Sequence, residues 1–133
     1  MPSDLFTTDG VARWQRVLNT STRFADAAAD WVGSLLLVEA GEEAAPRQAW
    51  VRIDRGWCLE AREGRDVDAE AADFVLTASA ATWRALVSAT ITPAKAALTG
   101  RLRLTKGEVF GLIPHARAAA ELLAAAAESP DAP

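Results

Sequence analysis

Residues 72–107, ADFVLTASAATWRALVSATITPAKAALTGRLRLTKG, organise the rest of the chain, and they begin with a strand followed at once by a helix. Residues 73–78 alternate between two faces in a β-rich run, and the hydroxyl of Ser79 can cap a helix that starts directly after it. Apolar residues of that helix recur at helical spacing, which is typical of a helix with one buried stripe. The stripe consists of Trp83, Leu86 and Val87.

The second half of this stretch predicts a short helix and another strand. Thr92 can cap the helix, and the fixed φ of Pro93 suits its first position. Gly100 supplies the positive-φ residue that commonly ends a helix. Residues 101–105 then alternate like a strand, so the whole unit is strand, helix, short helix and strand.

Two helices are predicted near the start of the chain. The first can be capped by Thr8 or Asp9, and its apolar stripe comprises Val11, Trp14, Val17 and Leu18. A break is expected at residues 19–22, because Asn, Ser and Thr side chains compete for backbone hydrogen bonds. The second helix is predicted over residues 22–31 and ends at Gly33. Its inward-facing residues are Phe24, Ala28 and Trp31.

Three strands are predicted between these helices and the central stretch. Residues 34–40 are apolar on both pleat faces, as in a strand covered on both sides. Asp54-Arg55-Gly56 then predicts a three-residue hairpin loop that pairs Ile53 with Trp57. On this register one face carries Ala49, Val51, Ile53, Trp57, Leu59 and Ala61. The opposite face carries Trp50, Arg52, Cys58, Glu60 and Arg62.

A closing helix is predicted from Pro114 to about Ala127, with room for an extra turn before it that the proline would kink. Its stripe comprises Leu112, Ala116, Ala119, Leu123 and Ala126. We therefore predict an α+β fold, an antiparallel-dominated sheet of about five strands with helices packed on one face. Residues 1–133 are expected to form a single domain, with 1–8 as a loose lead-in and 129–133 as a tail.

The order of residues in the central stretch resembles a known family. Leu86, Pro93, the run from Leu98 through Gly100 to Leu104, and then Gly107 before a long closing helix are similar to the end of the sterol carrier (non-specific lipid transfer) family. The sequence departs from that pattern in three places. Ser88-Ala89 replaces an expected glycine, Ala97-Leu98 replaces an aromatic residue, and one extra residue separates Gly100 from Gly107.

The resemblance implies a sterol-carrier-like domain that holds a fatty acyl or sterol-like ligand in a cavity between helices and sheet. Alanine-rich helices have little side-chain volume with which to fill such a space, although alanines also let a helix and a sheet pack closely without one. No covalent chemistry is implied, so we expect neither an enzyme nor a cofactor. The expected cavity walls are Trp83, Leu86, Val87, Ile91, Ala94, Ala97, Leu98, Leu102, Leu104, Leu112 and Leu123.

Composition argues against several other classes. The net charge of −4 does not favour a nucleic-acid partner. Cys58 and His115 are the only residues of their types, so one chain cannot assemble a Cys/His metal cluster. The chain lacks a secretory signal pattern and any apolar run of membrane-spanning length, so we expect a cytoplasmic protein without stable membrane insertion.

Two alternatives to a lipid carrier remain open from the sequence. The first is a non-catalytic interaction or dimerisation module, since Trp50 on the outer face of the hairpin could anchor a homodimer. The second is an enzyme that uses the Cys58 thiol or a pair of carboxylates, for which the sequence shows no supporting spacing.

Overall fold

A five-stranded mixed sheet forms the centre of the molecule, in the order β3-β2-β1-β4-β5. The computed structural model describes residues 5–41 and 47–127, with the backbone alone for Val109 and Phe110; the predicted start of the lead-in, the connection at 42–46 and the tail lie outside these residues. Strands β1 and β4 are parallel, and the other neighbouring pairs are antiparallel. The strands are β1 (Val32–Ala40), β2 (Arg47–Asp54), β3 (Trp57–Glu63), β4 (Phe74–Ser79) and β5 (Leu102–Lys106).

Most of the helices lie on one face of this sheet, which confirms the predicted α+β architecture. The helices are α1 (Thr8–Leu18), α2 (Thr22–Ala27), α3 (Asp68–Ala71), α4 (Ala80–Val87), α5 (Pro93–Leu98), α6 (Val109–Leu112) and α7 (Ala116–Ala124). Short 3-10 turns precede and follow α7, at Ile113–His115 and Ala125–Ala127.

The caps predicted in the central stretch are confirmed. The Ser79 hydroxyl accepts a hydrogen bond from the Thr82 amide, and Thr92 does the same for Lys95. Helix α1 differs, because Thr7 caps it instead of the predicted Thr8 or Asp9. A hydroxyl accepts best from an amide two or three positions on, and Thr7 stands at that distance from Gly10.

The sheet buries residues on both faces. On the helical face, Leu35 and Leu37 of β1 join the main core with the stripe of α1, including Trp14, and with Phe24 and Trp31. On the other face, Leu36, Trp50, Ala72 and Val75 form a small second cluster beneath α3. The prediction that residues 34–40 are buried on both faces is therefore correct for the middle of β1.

The predicted hairpin register is wrong. The loop is the two-residue turn Arg55-Gly56, with both residues at positive φ, so Asp54 pairs with Trp57. Leu59 then bulges out of β3, because Ile53 pairs with Cys58 but Arg52 pairs with Glu60. The two-residue turn buries Cys58 and leaves Trp57 and Leu59 exposed, contrary to the prediction. Because the bulge adds one residue, Ala61 is again on the buried face, as predicted.

Three boundaries also differ from the sequence prediction. Helix α2 ends at Ala27 instead of residue 31, and Gly33 lies inside β1. The predicted extra turn is present as α6, and a 3-10 turn at Pro114 separates it from α7, because the proline ring and missing N–H disfavour a continuous helix. As a result α7 begins at Ala116 instead of Pro114. The predicted stripe of this segment is confirmed at Leu123 and Ala126, which are buried, and at Ala119, which packs against the core. Ala116 is exposed instead, and Ala118 and Leu122 are buried as well.

Candidate ligand-binding site

A cavity of about 490 Å³, partly open to solvent, lies where α4 meets the ends of β1 and β2. The parallel register places Ala40 beside Ser79, so α4 starts next to the end of β1. The segment before α1 closes another side. The apolar wall comprises Leu5, Phe6, Ala80, Trp83, Ala85, Val87 and Ala127. This volume falls within the range of about 300–1,000 Å³ that is usual for small-molecule sites.

Two aromatic rings define the apolar wall. Phe6 meets Trp83 edge to face, with ring centroids 5.7 Å apart and an interplanar angle of 68°. The indole Nε1 of Trp83 donates to the Val38 carbonyl at 2.9 Å. The Ser79 cap fixes the first turn of α4, and the hydrogen bond to β1 fixes the indole, so the helix and the strand together hold this ring in one orientation.

The polar residues at the cavity lie at its edge. Glu39 at the end of β1 and Arg47 at the start of β2 face each other across the two strands, and Arg47 donates from Nε and from one terminal nitrogen, each at 3.0 Å. The Arg47 guanidinium also lies 5.6 Å from the centre of the Phe6 ring. On α4, Arg84 and Ser88 complete the polar part of the lining.

Comparison with solved structures identifies relatives that span almost the whole chain. A crystal structure of sterol carrier protein 2 is 34% identical, with a TM-score of 0.79, and the match covers 95% of this chain and 99% of that one. The chain belongs to the sterol carrier protein family. This finding confirms the resemblance seen in the central stretch.

Two further solved structures are similar to this chain. A solution structure of a conserved hypothetical protein from Thermus thermophilus, described as a candidate sterol carrier protein, is 31% identical with a TM-score of 0.79 and coverages of 93% and 88%. The apo form of sterol carrier protein 2 from Yarrowia lipolytica shares the fold, with a TM-score of 0.60 at 18% identity over 95% of this chain and 100% of that one. Neither the protein-family models nor the curated proteins gave a match.

The predicted cavity walls of this sterol carrier domain fall into three groups. Two of the predicted residues, Trp83 and Val87, line the cavity. Leu86, Leu102 and Leu123 are buried in the main core. Ile91, Leu104 and Leu112 are partly buried and pack against it. Ala94, Ala97 and Leu98 lie exposed on α5, with 88% of the Leu98 surface accessible.

Sequence reasoning missed the side of the cavity that comes from outside the central stretch. Leu5 and Phe6 precede the first helix, where a loose lead-in was expected, yet both are buried. Their apolar character just before a capped helix was the available signal. Glu39 and Arg47 carried no signal of this kind, because their proximity depends on the pairing of β1 with β2.

The groups considered for other chemistry occupy structural positions. Cys58 is fully buried, and burial raises the pKa of its thiol to about 12, so the thiolate that a nucleophile requires is scarce at neutral pH. His115 stacks on Trp31 with ring centroids 5.1 Å apart. Within residues 5–41 and 47–127, no group of acidic, His or Cys side chains could hold a metal ion, and no helix is long and apolar enough to cross a membrane.

The proposed anchor for a homodimer is not exposed. Trp50 retains only 5% of its surface, donates from Nε1 to Glu60 at 2.7 Å and lies beneath the Arg62 guanidinium. Arg62 in turn donates two hydrogen bonds of 2.9 Å to Asp68 of α3. The exposed aromatic residue on this face is Trp57, which the two-residue turn moved outward.

Proposed function

We propose that this sterol carrier protein binds the apolar part of a lipid, a fatty acyl chain or a sterol-like ring system, in the cavity beside Phe6 and Trp83. The main support for this proposal is an apolar cavity of about 490 Å³ in a fold shared with sterol carrier proteins. Trp83 and Val87 would contact the ligand from α4, and Leu5 and Phe6 would contact it from the N-terminal side.

Binding on this proposal is a transfer of apolar surface from water into the cavity. Such burial stabilises the complex by about 25 cal/mol per Å², and the ordering of the ligand offsets part of that gain. The ligand leaves unchanged, because the function requires no bond to be made or broken. Exchange is feasible because the cavity is partly open to solvent.

Filling the cavity tests the proposal directly. Ala85→Phe places a ring in the cavity wall, and Ala81→Phe adds the same ring to the exposed surface of the same helix. We expect a fluorescent fatty acyl probe to bind the unmodified protein with low micromolar affinity. Ala85→Phe should weaken this binding at least about tenfold, whereas Ala81→Phe should leave it unchanged.

Circular dichroism of both variants would establish that the fold is retained. Denaturing mass spectrometry of the purified protein should also detect a co-purified lipid. Absence of binding by acyl and sterol probes alike would refute the proposed function, and so would equal binding by the two variants.

The remaining predicted cavity residues, the homodimer and the cytoplasmic location stay predictions.

A further inference from the structure

The polar side chains of the cavity differ in how their charges are compensated. Glu39 and Arg47 form a two-bond ion pair, so their charges largely cancel at one edge. Ser88 is neutral and donates to the Ala85 carbonyl at 3.2 Å. Arg84 is the remaining charged residue of the lining, which leaves the lining with one net positive charge.

The Arg84 guanidinium makes no hydrogen bond and no ion pair with any residue in the described ranges 5–41 and 47–127. Arg84 follows Trp83 directly on α4 and is exposed, whereas the indole of Trp83 is buried. The helix therefore presents an aromatic ring toward the core and an uncompensated cation toward the solvent side of the same cavity.

We propose that Arg84 binds the anionic head group, a carboxylate or a phosphate, of a single-chain amphiphile whose apolar chain occupies the cavity. This inference rests on the proposed function. A guanidinium offers two parallel N–H donors that match either group. A neutral alcohol or sterol lacks the charge that this contact requires, so Arg84 would determine preference for anionic ligands.

The test compares three ligands with the same chain: dodecanoic acid, dodecyl phosphate and dodecanol. Each would displace the neutral dye Nile red from the protein, and the variants would be Arg84→Ala, Arg84→Lys and, as a matched control, Arg23→Ala on the exposed surface of α2. We expect Arg84→Ala to weaken binding of at least one anionic ligand about tenfold, with less than about a twofold effect on dodecanol. Arg84→Lys should restore part of the loss, and Arg23→Ala should change nothing.

Comparison of the three ligands shows which head group Arg84 binds. A loss confined to the acid identifies a carboxylate, and a loss confined to the phosphate ester identifies a phosphate. Equal losses for dodecanol and the anionic ligands, or no loss in Arg84→Ala, would overturn the role of Arg84 while leaving the cavity intact. If Nile red and dodecanol both fail to bind, the proposed function itself fails.

Discussion

The side-chain amide of Asn19 pairs with the backbone of Cys58 through both of its polar atoms. Oδ1 accepts from the Cys58 N–H at 2.8 Å, and Nδ2 donates to the Cys58 carbonyl at 2.9 Å. Strand β3 is at the edge of the sheet, where unpaired backbone groups invite association with another chain. Asn19, at the end of α1, therefore takes the place of a neighbouring strand at this position.

Removing the Asn19 amide should destabilise the protein. Asn19→Ala leaves the Cys58 N–H without a side-chain partner and leaves the Cys58 carbonyl with only the longer contact from Gln15 Nε2 at 3.5 Å. Asn19→Asp sets a carboxylate against the Cys58 carbonyl. We expect either change to lower the free energy of unfolding by about 1–3 kcal/mol. Urea denaturation would measure this, with the exposed Thr22→Ala as a control expected to change stability by less than about 0.5 kcal/mol. Wild-type stability in both Asn19 variants would contradict the role assigned to this pair.

The ends of α4 and α5 share one hydrogen-bond pattern but differ in the residue at its centre. After α4, Thr90 N–H donates to the Ala85 carbonyl at 2.9 Å and Ala89 N–H to Leu86 at 3.2 Å. After α5, Arg101 and Gly100 make the same two bonds, to Ala96 and Ala97, at 2.9 and 3.2 Å. Both are Schellman motifs, whose central residue has positive φ. That residue is Gly100 at φ 78° in one and Ala89 at φ 62° in the other.

Glycine should therefore be the better residue at position 89. The left-handed conformation costs alanine about 1–2 kcal/mol, a cost that glycine avoids. Part of this difference is offset because glycine makes the unfolded chain more flexible, which stabilises the unfolded state. We expect Ala89→Gly to raise the free energy of unfolding by about 0.5–1 kcal/mol in urea denaturation. The same substitution inside α4, Ala81→Gly, should instead lower it by about 1 kcal/mol.

The reverse change tests the same physical cause at the end of α5. A Cβ added to Gly100 would meet no atom within 4 Å, so its cost comes from the backbone alone. Gly100→Ala should lower the free energy of unfolding by about 1 kcal/mol. A neutral Gly100→Ala combined with a destabilising Ala89→Gly would show that positive φ does not govern these helix ends.

The Cys58 thiol should be unreactive until the protein unfolds. Burial raises its pKa from 9.0 to about 12, which lowers the thiolate fraction at pH 8 by a factor of about a thousand. Alkylation by iodoacetamide at pH 8 should accordingly be at least about a hundredfold slower in the native protein than in urea. A thiol at the exposed position 59, made by Leu59→Cys in a Cys58→Ala background, should react rapidly in the folded protein.

The same pKa shift sets the sign of the pH dependence. The folded protein keeps the Cys58 proton up to about pH 12, whereas the unfolded chain releases it near pH 9.0. Stability should therefore fall as pH rises above 9.0, by up to about 1.4 kcal/mol per pH unit from this group. Cys58→Ala should have a flatter stability profile above that pH. Fast alkylation of native Cys58 at pH 8 would disprove the shift.

Local signals in the sequence predicted much of the fold correctly. Ser79, Thr92, Pro93 and Gly100 act within a few residues of their own positions, so their roles can be read without knowing the tertiary structure. The stripe of α1 is equally local, and its members are buried as predicted. The hairpin was located correctly, but its register depended on a choice between two loop lengths and on a bulge at Leu59.

The candidate site was harder to predict because distant segments form it. Trp83 and Val87 were identified from the stripe of α4, but that stripe does not show which neighbour each residue faces. Glu39 and Arg47 reach the cavity only because β1 pairs with β4 on one side and β2 on the other. Phe6 reaches it from the segment before α1. The exposure of Leu98 likewise follows from how α5 lies beside the sheet, and not from its apolar side chain.

The sequence by itself determined the caps of α4 and α5, the glycine end of α5, the alternating strands and the family to which the chain belongs, because each depends on residues close together along the chain. Only the tertiary structure decided where the cavity opens, which charges compensate each other and which tryptophan is exposed. The physical reason is that strand pairing brings distant residues together, and a one-residue change in register reverses the direction of a side chain.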